Sequence, residues 1–209
     1  MTDNEEEIDY PVLGEPVVIE FANTLYRYQD QTIDFLESPA LIVGWFAASP
    51  TATVLTRPAT FSQPMVDRLG ALRDAVHAVI AALIDGASPG RGALTIINEH
   101  AVAGARRASL GWTEAGPQRR EHTTASGMNA LLGRLALDCI ELVTGPHATA
   151  VRRCDAADCP MFFVKDHSRR RWCHNGCGHR DRQSRYYMRR KTLALPSAKA
   201  PAEDGNRNA

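Results

Sequence analysis

Residues 152–191 read RRCDAADCPMFFVKDHSRRRWCHNGCGHRDRQSRYYMRRK. They hold four of the chain's five cysteines and twelve of its twenty-four Lys and Arg residues. Cys154 and Cys159 form a C-x4-C pair, Cys173 and Cys177 a C-x3-C pair, and thirteen residues separate the two. Two close pairs joined by a short loop are what a tetrahedral zinc ion needs. Each pair makes a knuckle that brings two sulfurs to ~2.3 Å of one metal. Disulfides are the competing explanation, and a reducing compartment disfavours them. Unrelated core cysteines fit poorly with the polar contexts CDAADC and CHNGC. Four thiolates close the coordination shell, so the expected metal is one structural zinc with no open position for a catalytic water. The nearby His174 and His179 are the alternative ligands, either replacing one sulfur. Cys139 lies in an apolar helical stripe and reads as a small buried hydrophobe.

The formal charge of the whole chain is zero, and that total hides an asymmetry. Residues 151–191 carry twelve Lys/Arg against four Asp, a net +8, while residues 1–150 carry ten Arg against eighteen acids, a net −8. Opposed halves suggest two modules with different partners, the basic one facing a polyanion. A zinc module this short has little core, so the metal supplies folding free energy and the surface is left free to be charged. From Cys177 to about Leu193 there is no proline, and the segment reads as a helix. Cys177, Asp181, Ser184 and Met188 then share one face, while Arg182, Arg185 and Arg189 share another with Tyr186 beside them. Arg169, Arg170 and Arg171 form a second cluster before Trp172. Arginine suits bidentate phosphate and guanine contacts. DNA is the expected partner, with Arg169, Arg170, Arg171, Arg180, Arg182, Arg185, Arg189 and Arg190 as the contacts. A solvated helix face is the plainer reading of the same stripe.

The rest of the chain reads as mainly helical with a small β component. SPALIVGWFAAS opens with Ser38 and Pro39, a cap and first-turn pair. MVDRLGALRDAVHAVIAALIDG spaces Leu69, Leu72, Val76, Val79, Ile80 and Leu83 by threes and fours and stops at Gly86. GMNALLGRLALDCIELVTG repeats the pattern. RGALTIINEHAVAG fits a helix or a strand, and helix is preferred. ASLGWTEAG and QRREHTT read as short strands. These segments place a helical domain over residues 10–147 and a finger over 148–196, with the border in TGPHATAVRR. Residues 1–9 and 197–209 have the composition of disordered tails.

Several classes are disfavoured. The opening MTDNEEEIDY lacks the basic and apolar regions of a secretory signal. No apolar run approaches the ~20 residues that span a bilayer. A soluble, cytoplasmic chain with no membrane partner is expected. No Ser/His/Asp grouping, phosphate-cradling glycine loop or open metal site supports catalysis, so the chain is not read as an enzyme.

The C…C…F…D-x-S-R…RRWC…CG-x-R pattern followed by a basic helix resembles the CGNR zinc fingers of bacterial proteins. Members join this finger to an N-terminal domain called ABATE, associated with stress-induced transcription regulation. VVIEFANT (17–24), IDFLESPALIVGWFAAS (33–49) and LRDAVHAVIAAL (72–83) resemble stretches of that domain in their order. The resemblance covers nearly all of residues 12–191. It implies a treble-clef-like finger, DNA binding and a regulatory role. Two departures stand out: His179 replaces the family's Asn in the signature, and the second knuckle is one residue shorter. Asn23 and Thr24 match the family's Asn-Thr pair. With Arg73 on the main amphipathic helix, they form a candidate ligand-binding trio for a small-molecule effector, although capping and surface roles fit each residue singly. The leading function is a zinc-binding, DNA-binding bacterial transcription regulator whose N-terminal domain senses a small molecule or protein. The alternative is a protein–protein adaptor that uses the finger as a basic docking surface.

Overall fold

The computed structural model describes residue 10, residues 12–28 and residues 31–194. Both expected tails, 1–9 and 197–209, lie outside the described residues. The fold is mainly helical: α1 (Val17–Ala22), α2 (Pro39–Ala48), α3 (Gln63–Asp85), α4 (Arg91–Ala103), α5 (Gly127–Thr144) and α6 (Asn175–Ala194). Three two-stranded antiparallel ribbons accompany them: β1 (Leu25–Tyr28) with β2 (Gln31–Asp34), β3 (Arg106–Thr113) with β4 (Gly116–Thr123), and β5 (Val151–Arg153) with β6 (Phe162–Val164).

The helix signals act as their chemistry requires. Ser38 takes an extended conformation and its hydroxyl accepts the Leu41 N–H at 3.4 Å, opening α2 one residue before Pro39. In α3 the three-and-four spacing of Val66, Leu69, Leu72, Val76, Val79 and Ile80 turns one continuous stripe inward. Gly86 ends the helix with φ of 63°, a left-handed conformation that a side chain would disfavour. The segment that fitted helix or strand is helical. In α4, Gly104 at the C-terminus meets Gly133 of α5 so closely that a Cβ on Gly133 would lie 2.2 Å from the Gly104 Cα. Two glycines facing each other let the backbones touch where any side chain would separate them.

The core gathers around α1. Val18, Ile19, Phe21 and Ala22 of this six-residue helix are buried against α3 and α5. An aromatic run of Phe21, Trp45, Phe46 and Phe61 continues under α2, with ring centroids 4.9 to 6.3 Å apart. Val151 and Phe162, from the ribbon on the far side of the expected border, belong to this same core. The cysteines form a second, smaller cluster with Met161 and Phe163, against which Leu13 and Tyr26 pack. Residues 144–153 therefore mark a change of composition, while the packing runs across them.

No described helix is long and apolar enough to cross a membrane.

Candidate metal centre

The metal centre starts from the β5–β6 ribbon, paired Val151↔Val164, Arg152↔Phe163 and Arg153↔Phe162. One more ladder bond, from the Cys154 N–H to the Met161 carbonyl at 2.9 Å, carries the pairing to the first cysteine. The chain then turns tightly: the Cys159 N–H reaches the Ala156 carbonyl at 3.2 Å, and Asp158 adopts φ of 59°. Aspartate is among the few side chains that tolerate that region. Cys173 arrives from the loop after β6, and Cys177 lies in the first turn of α6. A backbone bond from Asp155 N–H to the Arg171 carbonyl, at 3.0 Å, ties the two knuckles together.

All four sulfurs lie within 4.8 Å of one another, and all four residues are buried. The Cys159–Cys173, Cys173–Cys177 and Cys159–Cys177 separations are 3.8, 3.6 and 3.8 Å. A tetrahedron with metal–sulfur bonds of ~2.3 Å has edges of about 3.8 Å, so the cage has the dimensions of a zinc site. His174 stands beside the cage as a hydrogen-bonding neighbour. Its Nε2 is 3.3 Å from the Cys177 sulfur, and its Nδ1 accepts the Gly176 N–H at 3.1 Å. His179 is exposed on α6. Of the two candidate ligand sets, the all-cysteine one is assembled.

The sulfurs are also supplied with donors. The Cys173 N–H points to the Cys154 sulfur at 3.4 Å, and Arg180 Nη2 donates to the Cys177 sulfur at 3.2 Å. Four thiolates around Zn²⁺ carry a net charge of −2, which the Arg180 guanidinium beside the Cys177 sulfur partly offsets. Crowding splits the acidities of the bare thiols. Hydrogen bonds from Cys154 and its neighbours hold the Cys177 thiol far below its usual range, while Cys159 and Cys173 are pushed up by the same contacts. Cys154 is lowered to about 7, chiefly through Cys159. Zinc entry must expel the remaining thiol protons, so loading strengthens as pH rises. Cys139 is elsewhere, in the α5 stripe, with its thiol pushed up to about 12 by burial.

The finger is fastened to the helical domain by side chains from distant sequence. The Asn23 carboxamide brackets one residue of β6: its Nδ2 donates to the Phe162 carbonyl at 3.0 Å, and its Oδ1 accepts the Phe162 N–H at 2.8 Å. Glu15 accepts the Val164 N–H at 2.9 Å and the Arg170 Nη2 at 2.6 Å. Arg170 also donates to the carbonyls of Val164 and Cys173 and lies over the Phe163 ring, 4.6 Å from its centroid. His77 of α3 packs against Phe162 with centroids 4.5 Å apart, its Nε2 3.4 Å from the Pro160 carbonyl.

This arrangement redistributes the residues singled out in the sequence. Asn23, Thr24 and Arg73 are each buried with partners of their own. Asn23 holds β6, the Thr24 hydroxyl donates to the Phe21 carbonyl at 2.8 Å, and Arg73 forms a two-point ion pair with Asp34. Among the expected nucleic-acid contacts, Arg170 is turned inward onto Glu15 and Arg180 onto the cage. Arg171 pairs with Asp155 at 2.8 Å, and Arg185 with Asp181 at 2.6 Å. Arg182, Arg189 and Arg190 are exposed on α6, and Arg169 is exposed in a cleft of about 510 Å³ shared with Trp172 and His174. Glu15, His77 and Phe162 gave no sequence signal, because nothing local distinguishes a docking residue from a surface one. A carboxylate inside the apolar run VVIEFA was a legible cue for Glu20. Glu20 is buried and accepts the Leu13 and Glu15 N–H groups, which shapes the strap that presents Glu15.

The docked histidine gives a pH dependence. Burial holds the His77 imidazole below its ordinary pKa, so in the window between its folded value and ~6.5 the unfolded chain binds the extra proton. Stability should therefore fall as pH drops below about 6.5, with no change from this group above it. Urea unfolding of wild type and His77→Gln at several pH values checks this. The variant should lose part of the acid-side decline, the remainder including His100, whose burial acts with the same sign. Identical pH profiles would remove His77 from the account.

A helical domain, a closed four-cysteine cage docked on it and a basic helix leaving that cage together define a zinc-finger protein with a single structural zinc. Residues 15–146 match the ABATE family, described as "Putative stress-induced transcription regulator", and residues 150–190 match the CGNR zinc finger. The chain belongs to the ABATE family and carries a CGNR zinc finger, in the order and extent that the resemblance implied. A search of curated proteins finds no match.

Proposed function

We propose that the chain is a DNA-binding transcription regulator of the cytoplasm. In this reading α6 contacts the nucleic acid, and the helical domain carries an interaction or sensing role. The observation that carries the reading is the state of α6. Its first turn is fixed by Cys177, yet every residue from Arg182 to Arg190 is exposed. A helix that buries no stripe gains nothing from tertiary packing and is instead a presented surface. That surface offers Arg182, Arg185, Arg189 and Arg190, within a module of net charge +8. Arg182 lies over Trp172 and Arg190 over Tyr186, with centroid distances of 5.9 and 5.6 Å, which orders two of the guanidiniums. Arg185 is half-exposed while its partner Asp181 is largely covered, so a phosphate would meet the open side of a guanidinium that Asp181 holds in place.

The test is a titration of the zinc-loaded chain against duplex DNA at several salt concentrations. If Arg182, Arg185 and Arg189 each neutralise one phosphate, each contributes ~0.9 to the log–log salt slope. The triple Ala variant should lose about 2.7 from that slope and bind orders of magnitude more weakly at moderate salt, with zinc content unchanged. Equal slopes would remove the nucleic acid from the reading. A second reading, a protein–protein adaptor, is favoured by Tyr186, Tyr187 and Met188, which are 56, 70 and 66 % exposed and make α6 apolar as well as basic. Equal DNA slopes together with capture of a protein through these three residues would promote it.

A further inference from the structure

We propose that the β3–β4 ribbon is a second nucleic-acid contact surface, a basic wing on the helical domain that acts together with α6. The inference rests on the DNA-binding reading of the finger and extends it to a part of the fold that the finger does not touch. The ribbon joins α4 to α5. It pairs eight residues with eight, from Arg106↔Thr123 to Thr113↔Gly116, and Gly116 (φ 107°) closes the turn. At ~3.4 Å per residue each strand is about 27 Å long. A ribbon of that length that served only to connect two helices would be expected to fold back on the core. This one instead leaves Leu110 and Trp112 exposed at 76 and 71 %.

Charge decides what the ribbon fits. Residues 106–123 carry four Arg against two Glu, a net +2. The remainder of residues 10–147 carries six Arg against eleven acids, a net −5. The domain as a whole repels a polyanion, and its positive island lies on its most extended element. Cross-strand register defines the surface further. Directly opposed residues share a face, so Leu110 stands with Arg119, and Trp112 with Pro117. Ser109 stands with Arg120 on the other face. Gly111 is what lets Arg120 lie flat: a Cβ there would come within 2.5 Å of the Arg120 Nε. An exposed indole with Arg119 on its own face can stack on a base or sugar beside a phosphate contact, Arg120 adds a cation on the opposite face, and a two-stranded ribbon is narrow enough to enter a major groove. The ribbon leads into the start of α5, and the finger follows the end of that helix. Its eighteen residues make α5 about 27 Å long.

The experiment uses the full zinc-loaded chain and a duplex of about 24 base pairs, more than two helical turns. Arg119→Gln/Arg120→Gln removes two charges while keeping stems that cover Gly111, and Trp112→Ala removes the indole. The double Gln variant should lose ~0.9 from the salt slope for each of the two arginines that meets a phosphate. DNA should quench the tryptophan emission of wild type more than that of Trp112→Ala. Unchanged thermal unfolding and zinc content in both variants exclude misfolding as the cause. Wild-type affinity and slope in the double Gln variant, alongside weakened binding in the α6 triple Ala variant, would overturn the wing alone. A wild-type chain that binds no duplex at low salt would overturn the finger's DNA role and the wing with it. A wild-type dimer in sedimentation that Trp112→Ala converts to a monomer, with the salt slope unchanged, would overturn the proposal in favour of pairing between two copies of the ribbon.

Discussion

Cys173→Ser is expected to strip the chain of its zinc and to destabilise far more than the finger. Cys173 sits centrally in the cage, 3.8 Å from Cys159 and 3.6 Å from Cys177. Replacing its thiolate by a hydroxyl removes a soft ligand that zinc prefers. Structural zinc contributes ~10–16 kcal/mol of apparent binding free energy, the same size as the whole stability of a domain. The finger's own core is a few residues around the cysteines, so little would hold β5 and β6 in place without the ion. Those strands carry Val151 and Phe162 into the core of the helical domain, and their loss would open a hole against α1 and α3. Two measurements decide the matter: metal per chain, expected to fall from one to none, and thermal unfolding, expected to shift for the helical signal as well as the finger. A variant that keeps one zinc, or a helical domain that melts unchanged, contradicts the docked arrangement.

Asn23→Ala should be a costly substitution although it lies away from the cage. The side chain is 2 % exposed and satisfies both backbone groups of Phe162, which is itself fully buried. Truncation leaves a buried N–H and a buried C=O without partners, at ~1–3 kcal/mol each. A total loss of about 2–6 kcal/mol follows, read from urea unfolding of the zinc-loaded chain. Asn23→Asp tests the geometry, because it keeps the acceptor and turns the donor into a second acceptor facing the Phe162 carbonyl. It should recover little of the loss. A ligand-directed Asn23 would give a different result, with stability unchanged and only effector binding altered. The same contact bears on modularity: residues 10–147 alone would leave the Asn23 carboxamide and the socket of Phe162 exposed.

Sequence by itself determined the parts of this protein that are written within a few residues of one another. The C-x4-C and C-x3-C pairs declared a four-sulfur cage because a knuckle is a local structure whose ligands are set by spacing. The long helices α3 and α5 were legible because a 3.6-residue period and a terminal glycine are local signals. The ribbon from 106 to 123 was legible as two strands because the helical period breaks there. α1 was not, since six residues are too few to display a period.

Tertiary structure decided everything that joins residues far apart. Asn23 and Phe162 are 139 residues apart, and Glu15 and Arg170 are 155 apart. No local pattern relates them, because a carboxylate or carboxamide looks the same whether water or a buried backbone group satisfies it. The arginines show the consequence most plainly. In sequence, Arg169 to Arg171 are one cluster, and Arg180 begins the basic helix. In space Arg170 closes the interface with Glu15, Arg180 donates to a metal-binding sulfur and Arg169 faces solvent. A cation's role is set by which anion the fold brings within hydrogen-bonding distance, and only the packed chain specifies that.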